Sequence, residues 1–228
     1  MNYFLYIGNK NYSTWSMRPW VIMKHFDLNF DEKWVRFDSF ETNSRFKQTI
    51  LPLNSAGTVP ILIDNGLIVT DSLAICEYLA EKHPEHALWP KNQQQRASAR
   101  RLAAEMHCGY TNIRHYLPMN IEASFAEIGQ IILRDHPKVN QEITFLDQHL
   151  SSFLQQSTGK YLFGEFTIAD AFYAPMCLRL KNFHIQTSTQ LANYIETICH
   201  TKGVKEWIFD AINEQDFIPM DEPYRLHR

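Results

Sequence analysis

The 228-residue chain has no run of like charges longer than two or three residues, and its 22 Lys and Arg stand against 25 Asp and Glu, a formal charge of −3. A surface dedicated to nucleic acid or to an anionic membrane is therefore not expected. No apolar run nears the ~20 residues that cross a bilayer. The short run after Met1, Tyr3 to Ile7, has no basic lead and no small-residue cleavage site, so it does not read as a signal peptide. Cysteines are few and lack CxxC spacing: Cys76, Cys108, Cys177 and Cys199 are scattered, three of them among apolar helical neighbours. Buried, reduced thiols and a cytoplasmic setting are expected. Against these absences, 45% apolar and 21% charged residues are enough for a sizeable core and exclude disorder.

The hydrophobic period changes along the chain. Up to about Glu81, strand and helix signals alternate; from about Asn92 the spacing is helical almost throughout. Tyr3-Phe4-Leu5-Tyr6-Ile7 suits a strand buried on both faces, a helix runs from about Met17 to Phe26, and Trp34-Val35-Arg36-Phe37 reads as a second, parallel strand. Val59 to Ile63 and Leu67 to Val69, joined by Asp64-Asn65-Gly66, read as a hairpin, and Ser72 to Lys82 as a helix. This βαβ-ββα order in about 80 residues, with Val59-Pro60 before a strand, resembles a thioredoxin-like domain. The expected class is α/β plus all-α: a first domain over residues 1–83, a linker over 84–90 carrying Pro84 and Pro90, and a helical bundle over 91–228. His83 and His86 lack an acidic or cysteine partner at ligand spacing, so no metal is expected.

In the second half, Ile143, Leu146, Leu150 and Leu154 recur at helical steps, as do Ala97, Leu102, Ala104 and Met106 less strictly; both stripes read as core. Phe166-Thr167-Ile168-Ala169-Asp170 has the pattern of a capping box opening a helix from Ile168 to Leu180.

Three segments carry candidate chemistry. In Asn11-Tyr12-Ser13-Thr14-Trp15-Ser16-Met17-Arg18-Pro19, the proline belongs to a first helical turn, which starts the helix near Trp15 or Ser16 and leaves Ser16 as the cap. Ser13 then lies just ahead, where a hydroxyl backed by a helix N-terminus can donate to an anion such as a thiolate. In Gly57-Thr58-Val59-Pro60, a cis proline would turn the Val59 amide and carbonyl outward to pair with a bound peptide backbone. At Thr70-Asp71-Ser72, a hydroxyl and free amides suit a carboxylate and Asp71 suits an ammonium. Together they describe a receptor for an α-amino acid head group.

These segments resemble the motifs of glutathione transferases over nearly the whole chain: Tyr12-Ser13-Thr14-Trp15-Ser16 the serine-type activation motif, Gly57-Thr58-Val59-Pro60 the cis-proline motif, and Thr70-Asp71-Ser72-Leu73-Ala74-Ile75 the γ-glutamyl-binding motif. Gly164-Glu165-Phe166-Thr167-Ile168-Ala169-Asp170 is similar to the family's capping box. The Asn-Tyr-Ser-x-Trp-Ser-x-Arg-Pro and Glu-Met-His-x-Gly patterns resemble a bacterial, zeta/theta-like branch. The resemblance implies a homodimeric enzyme that activates glutathione for attack on a small electrophile. Ser13 is then catalytic, with Tyr12 and Thr14 as the other candidate hydroxyls. Thr14, Trp15, Thr58, Val59, Pro60, Asp71 and Ser72 bind glutathione, and Arg45 and Lys47 are alternatives for its glycine carboxylate. An acceptor pocket is expected along one helix from Glu105 to Arg114, using Met106, His107, Tyr110 and Arg114; His107 and Arg114, seven residues apart, would share a face and meet a polar or acidic substrate. Cys108 is expected as a small buried side chain, with a reactive thiol at the cleft as the alternative. With no cysteine from Ser13 to Ser16 and no zeta-class cysteine, disulfide exchange and maleylacetoacetate isomerisation are disfavoured. A glutathione-dependent isomerase or dehalogenase, or a non-catalytic binder of the same fold, are the alternative functions.

Overall fold

In the computed structural model, residues 3–228 are described; the first two residues of the expected first domain lie outside them. A four-stranded sheet in the order β2-β1-β3-β4 is built from β1 (Tyr3–Ile7), β2 (Phe30–Trp34), β3 (Ile61–Asp64) and β4 (Leu67–Thr70). β1 runs parallel to β2 and antiparallel to β3, and β3 to β4, the thioredoxin-like arrangement. The crossover between β1 and β2 is α1 (Thr14–His25); α2 (Arg45–Ile50) lies before β3, and α3 (Ser72–Lys82) follows β4. The hairpin closes through Asn65 and Gly66, both with positive φ (48° and 88°), a geometry that Asn-Gly adopts at little cost.

The second strand spans Phe30–Trp34 instead of Trp34 to Phe37. As an edge strand it has half-buried and exposed positions, so Asp31, Glu32 and Lys33 break the apolar run by which a buried strand is recognised. Its register with β1 runs from Tyr3 opposite Phe30 to Ile7 opposite Trp34, and Val35 N–H adds one bond to the Ile7 carbonyl (2.8 Å). β1 buries Tyr3, Leu5 and Ile7 completely, whereas Phe4 and Tyr6 are half-buried. α1 begins earlier than Pro19 suggested, at Thr14, with Ser13 at the N-cap position and Met17 N–H bonded to the Ser13 carbonyl (3.1 Å).

Helices follow from residue 93: α4 (Gln93–Cys108), α5 (Thr111–Tyr116), α6 (Ala126–Asp135), α7 (Pro137–Gln156), α8 (Ile168–Asn182), α9 (Thr189–His200) and α10 (Lys202–Glu214). On α7, Ile143, Leu146 and Leu150 are buried and Leu154 half-buried. On α4 the buried stripe is Ala99, Leu102, Ala103 and Met106, whereas Ala97 and Ala104 face solvent, one helical step away from the expected line. The start of α8 is held by Asp170, whose carboxylate accepts the Thr167 amide (2.9 Å) and hydroxyl (3.0 Å), the Leu162 amide (3.1 Å) and the Tyr194 hydroxyl (2.9 Å). Burial nevertheless pushes its pKa up to about 6.

α1 joins the two halves. It packs on the sheet and α3 on one side and on α8 and α10 on the other, which is why Ser16 to Met23 are all buried.

Candidate active site

A cleft of about 330 Å³ opens where the N-terminus of α1, the loop before β3, the start of α3 and the end of α4 converge. Of the residues singled out in the sequence, Trp15, Thr58, Val59, Pro60, Asp71, Ser72 and His107 line it. The loop is shaped by short local bonds: Lys47 Nζ donates to the Gly57 carbonyl (2.8 Å), Asn54 Nδ2 donates to the Thr58 carbonyl (2.9 Å), and the Val59-Pro60 peptide is cis. Arg45, in contrast, is exposed on α2 and neither basic residue lines the cleft.

Asp71 adopts positive φ (75°) and caps α3: one carboxylate oxygen accepts the Leu73 amide (2.8 Å) and the Ala74 amide (3.2 Å). Its other oxygen is 3.2 Å from His107 Nε2. The His107 ring also meets Trp15 edge-on at 5.1 Å, and its Nδ1 is buried without a partner. Burial lowers the His107 pKa, opposed by Asp71 and helped by Arg18 and Arg114. The ring is thus neutral near pH 7.

Arg18 is the functional residue that sequence reasoning missed. It is 1% exposed, and its guanidinium lies 4.1 Å from the Trp15 ring and 4.7 Å from the Phe172 ring. Its Nη1 donates a long bond (3.4 Å) to Ser72 Oγ, and its Nε is buried with no partner. Burial pulls its pKa down to about 9, and Arg114 adds to the effect. A buried cation directly behind Trp15 and Ser72 favours an anion in the cleft. In the sequence Arg18 stood inside the Asn-Tyr-Ser-x-Trp-Ser-x-Arg-Pro pattern without a role of its own.

The candidate hydroxyls separate clearly. Ser13 is buried at the N-cap of α1, where its hydroxyl donates to Ser16 Oγ (2.7 Å), and it is not among the cleft-lining residues. Ser16 is not the cap: it sits inside the first turn, where Oγ accepts Ser13 and the Gly8 amide (3.2 Å). Thr14 opens α1, is buried and also lies off the cleft. Tyr12 donates to Glu222 (2.6 Å), and burial together with that bond raises its pKa, so it remains a neutral phenol.

The expected single helix from Glu105 to Arg114 is broken. Gly109 ends α4, since a Cβ there would stand 2.6 Å from the Glu105 carbonyl oxygen, and Tyr110 turns left-handed (φ 55°) before α5. His107 and Arg114 therefore do not share a helical face. They meet through the turn instead: Arg114 Nη1 donates to the His107 carbonyl (3.2 Å), and its guanidinium lies 5.6 Å from the Trp15 ring. Met106 is 2% exposed in the core. Tyr110 lines a separate groove of about 550 Å³ with Glu105, Cys108 and Phe145. Cys108 is exposed there, not buried, its thiol donating to the Ala104 carbonyl (3.2 Å), whereas Cys76, Cys177 and Cys199 are buried. His83 is engaged by Tyr3 (3.0 Å) and Glu85 (3.2 Å). Among the described residues no cluster of three His, Cys, Asp or Glu could hold a metal, and no helix is long and apolar enough to cross a membrane.

Residues 12–82 match the family model for the glutathione S-transferase N-terminal domain. A probable maleylacetoacetate isomerase of Caenorhabditis elegans is 30% identical over 81% of this chain and 81% of its own length. The maleylacetoacetate isomerase of Rattus norvegicus is 28% identical over the same shares, and glutathione S-transferase 1 of Dianthus caryophyllus 29% over 76% and 75%. Among solved structures, a glutathione transferase homolog from Burkholderia with bound glutathione superposes with a TM-score of 0.68 at 21% identity, over 93% of this chain and 98% of that one. A diazinon-metabolizing glutathione S-transferase of the silkworm Bombyx mori gives 0.72 at 18%, over 94% and 98%. On its sequence relatives and its fold alike, the chain belongs to the glutathione S-transferase family, on the zeta-like side of it.

Proposed function

We propose that the cleft binds glutathione and activates its thiol for attack on a small electrophile. The observation that carries this reading is the convergence, in one cleft, of Asp71 and Ser72 at the start of α3, Val59 before cis Pro60, and Trp15 at the start of α1, with the buried Arg18, whose Nε has no partner, behind them. Asp71 meets the γ-glutamyl ammonium, Ser72 Oγ its carboxylate in the field of Arg18, and Val59 the cysteinyl backbone. Lys47, tied to the Gly57 carbonyl beside the cleft, is the nearer of the two candidate partners for the glycine carboxylate.

A thiol with a pKa of about 8.5 is a few per cent thiolate at neutral pH. Activation therefore means stabilising the anion. Ser13 does this by turning its hydroxyl from Ser16 to the sulfur, assisted by the N-terminus of α1. The electrophile lies on the far side of Trp15, between His107 and Arg114. A second reading, glutathione-dependent isomerisation, draws on the relatives named maleylacetoacetate isomerase. The thiolate would add to the substrate and leave again, so no glutathione is consumed. A homodimer in the cytoplasm completes the reading: β4, at the sheet edge, presents Leu67 and Ile68 at 52% and 41% exposure, and a second copy would cover them.

Titration calorimetry with reduced glutathione tests the core of this proposal. Asp71→Ala and Ser72→Ala should each weaken binding by ~1.5–3 kcal/mol, the worth of a hydrogen bond to a charged group. Ser13→Ala should leave affinity nearly intact while raising the pKa of the bound thiol, read by thiolate absorbance. Unchanged affinity in both cleft variants would remove the head-group assignment. Glutathione consumed per product formed separates transfer from isomerisation.

A further inference from the structure

The two residues before Ser13 are anchored from the second half of the chain, Tyr12 by Ile218 and Glu222 and Asn11 by residues 120–122. Tyr12 donates its hydroxyl to Glu222 (2.6 Å) and accepts the Ile218 amide (3.4 Å). Asn11 bonds Asn120 Oδ1 through Nδ2 (2.9 Å), and its own Oδ1 accepts the amides of Ile121 (2.7 Å) and Glu122 (2.9 Å). Both anchors meet at one carboxylate. Glu222, 4% exposed, accepts Asn120 Nδ2 on both oxygens (2.8 Å each) and is paired with Arg225, whose Nε donates at 2.8 Å. Upstream, Asn9 donates to Asp216 (3.0 Å), and the Lys10 amide to Glu214 (2.7 Å). The Ser13 amide itself closes on the Asn9 carbonyl (2.8 Å).

The Tyr12 ring packs with Phe37, Phe46, Ile50 and Ile61 of the first half, but the polar ends of the Asn11 and Tyr12 side chains are bonded from beyond residue 110. Head-group recognition, in contrast, is assigned to Asp71 and Ser72, which line the cleft from the start of α3. We propose that Glu222 is a positioning residue for the thiol: through Tyr12 and Asn120 the C-terminal strap, residues 215–228, sets where the Ser13 hydroxyl stands. A carboxylate accepting three kinds of donor in a buried site is rigid, and activation of a sulfur by one hydroxyl tolerates little displacement. The inference rests on the assignment of Ser13 as thiol donor.

Glu222→Gln turns an acceptor toward Asn120 and Arg225 into a donor, and Tyr12→Phe removes a single hydroxyl without touching the rest of the hub. Each should lower kcat at least tenfold and raise the pKa of bound glutathione thiol by half a unit or more, while KM for glutathione stays within threefold. Thr167→Ala, a cap lesion away from the residues that line the cleft, serves as the destabilised control and should change none of the three. Equal kinetic losses in the control, or kcat and thiol titration within twofold and 0.2 units of wild type in both strap variants, would overturn the proposal. Ser13→Ala in the same series separates the two readings: a shifted thiol titration in Ser13→Ala with none in the strap variants overturns the strap role alone, and no shift in Ser13→Ala overturns the donor assignment and the strap role with it.

Discussion

Replacing Arg18 by methionine should make the unliganded protein more stable and worse at its chemistry. The guanidinium is 1% exposed, has no carboxylate partner and is held at a pKa of about 9, lowered from 12.5 chiefly by burial. A shift of that size corresponds to a cost of roughly 4–5 kcal/mol for keeping the charged form, at 1.36 kcal/mol per unit. For a base whose folded pKa is depressed, the folded state binds its proton less tightly than the unfolded state. The cost is therefore fully present below about pH 9, including at pH 7, and fades only as pH rises toward 12.5. Against it stand the two ring contacts with Trp15 and Phe172, worth ~1–2 kcal/mol each when desolvated, and the long bond to Ser72, worth well under ~1 kcal/mol.

The balance leaves Arg18→Met more stable by about 1–2 kcal/mol, since methionine keeps most of the stem volume. For a chain of this size that is roughly 3–6 °C in Tm by calorimetry at pH 7. Glutathione affinity should fall about tenfold, because the uncompensated cation behind Ser72 is gone. Arg18→Lys should not restore it, as an ammonium cannot stack in the slot between two rings. A lower Tm in Arg18→Met with unchanged affinity would refute the reasoning: the charge would then be a structural group that its surroundings already neutralise.

Two further outcomes follow from other parts of the fold. The folded pKa of Asp170 is raised to about 6 from 3.8, so its contribution is complete below 3.8 and lost as pH rises through 6; urea unfolding should show wild type gaining about 2 kcal/mol on Asp170→Asn between pH 7 and 4.5, and a pH-independent difference would show that the four donors keep the carboxylate ionised. If Leu67 and Ile68 on β4 form the proposed dimer face, the wild type should sediment as a dimer and Leu67→Glu with Ile68→Glu as a monomer with the circular dichroism spectrum unchanged; a monomeric wild type, or a variant that sediments as wild type, would refute that face.

The elements whose cause is local were legible in the sequence. Asn65-Gly66 dictates its hairpin, the helix from Ser72 to Lys82 has the expected ends, and Thr167 with Asp170 opens α8. The failures share a physical origin: each depends on contacts distant in the chain. Glu32 sits in an edge strand because Trp20 Nε1 (2.6 Å) and Lys10 Nζ (2.9 Å) hold its carboxylate, so a polar stretch is strand where an apolar one was expected. Helix α2 has only six residues and no periodicity to detect; its signal was Ser44, which caps the Lys47 amide (3.1 Å). Counting seven residues from His107 to Arg114 presumed an unbroken helix, and Gly109 was the available warning. The burial of Arg18 and Glu222 was not legible because burial of a charge is decided by what packs around it, from α8 in one case and from Tyr12 and Asn120 in the other.

The change from mixed to all-helical structure near residue 90 is not a break in the core. α1 is apolar on nearly every side because it lies between the sheet and α3 on one flank and α8 and α10 on the other. Its N-terminus is consequently fixed by both halves at once, and the cleft inherits that. Trp15 is clamped between Arg18 from its own helix and His107 from the end of α4, while His107 in turn faces Asp71 across the opening. A ligand ammonium that pairs with Asp71 competes with His107 for the same carboxylate. Recognition of the proposed head group and the posture of the His107 ring are therefore coupled through one oxygen atom, and the coupling is reciprocal: whatever factor glutathione imposes on acceptor affinity, the acceptor imposes on glutathione affinity.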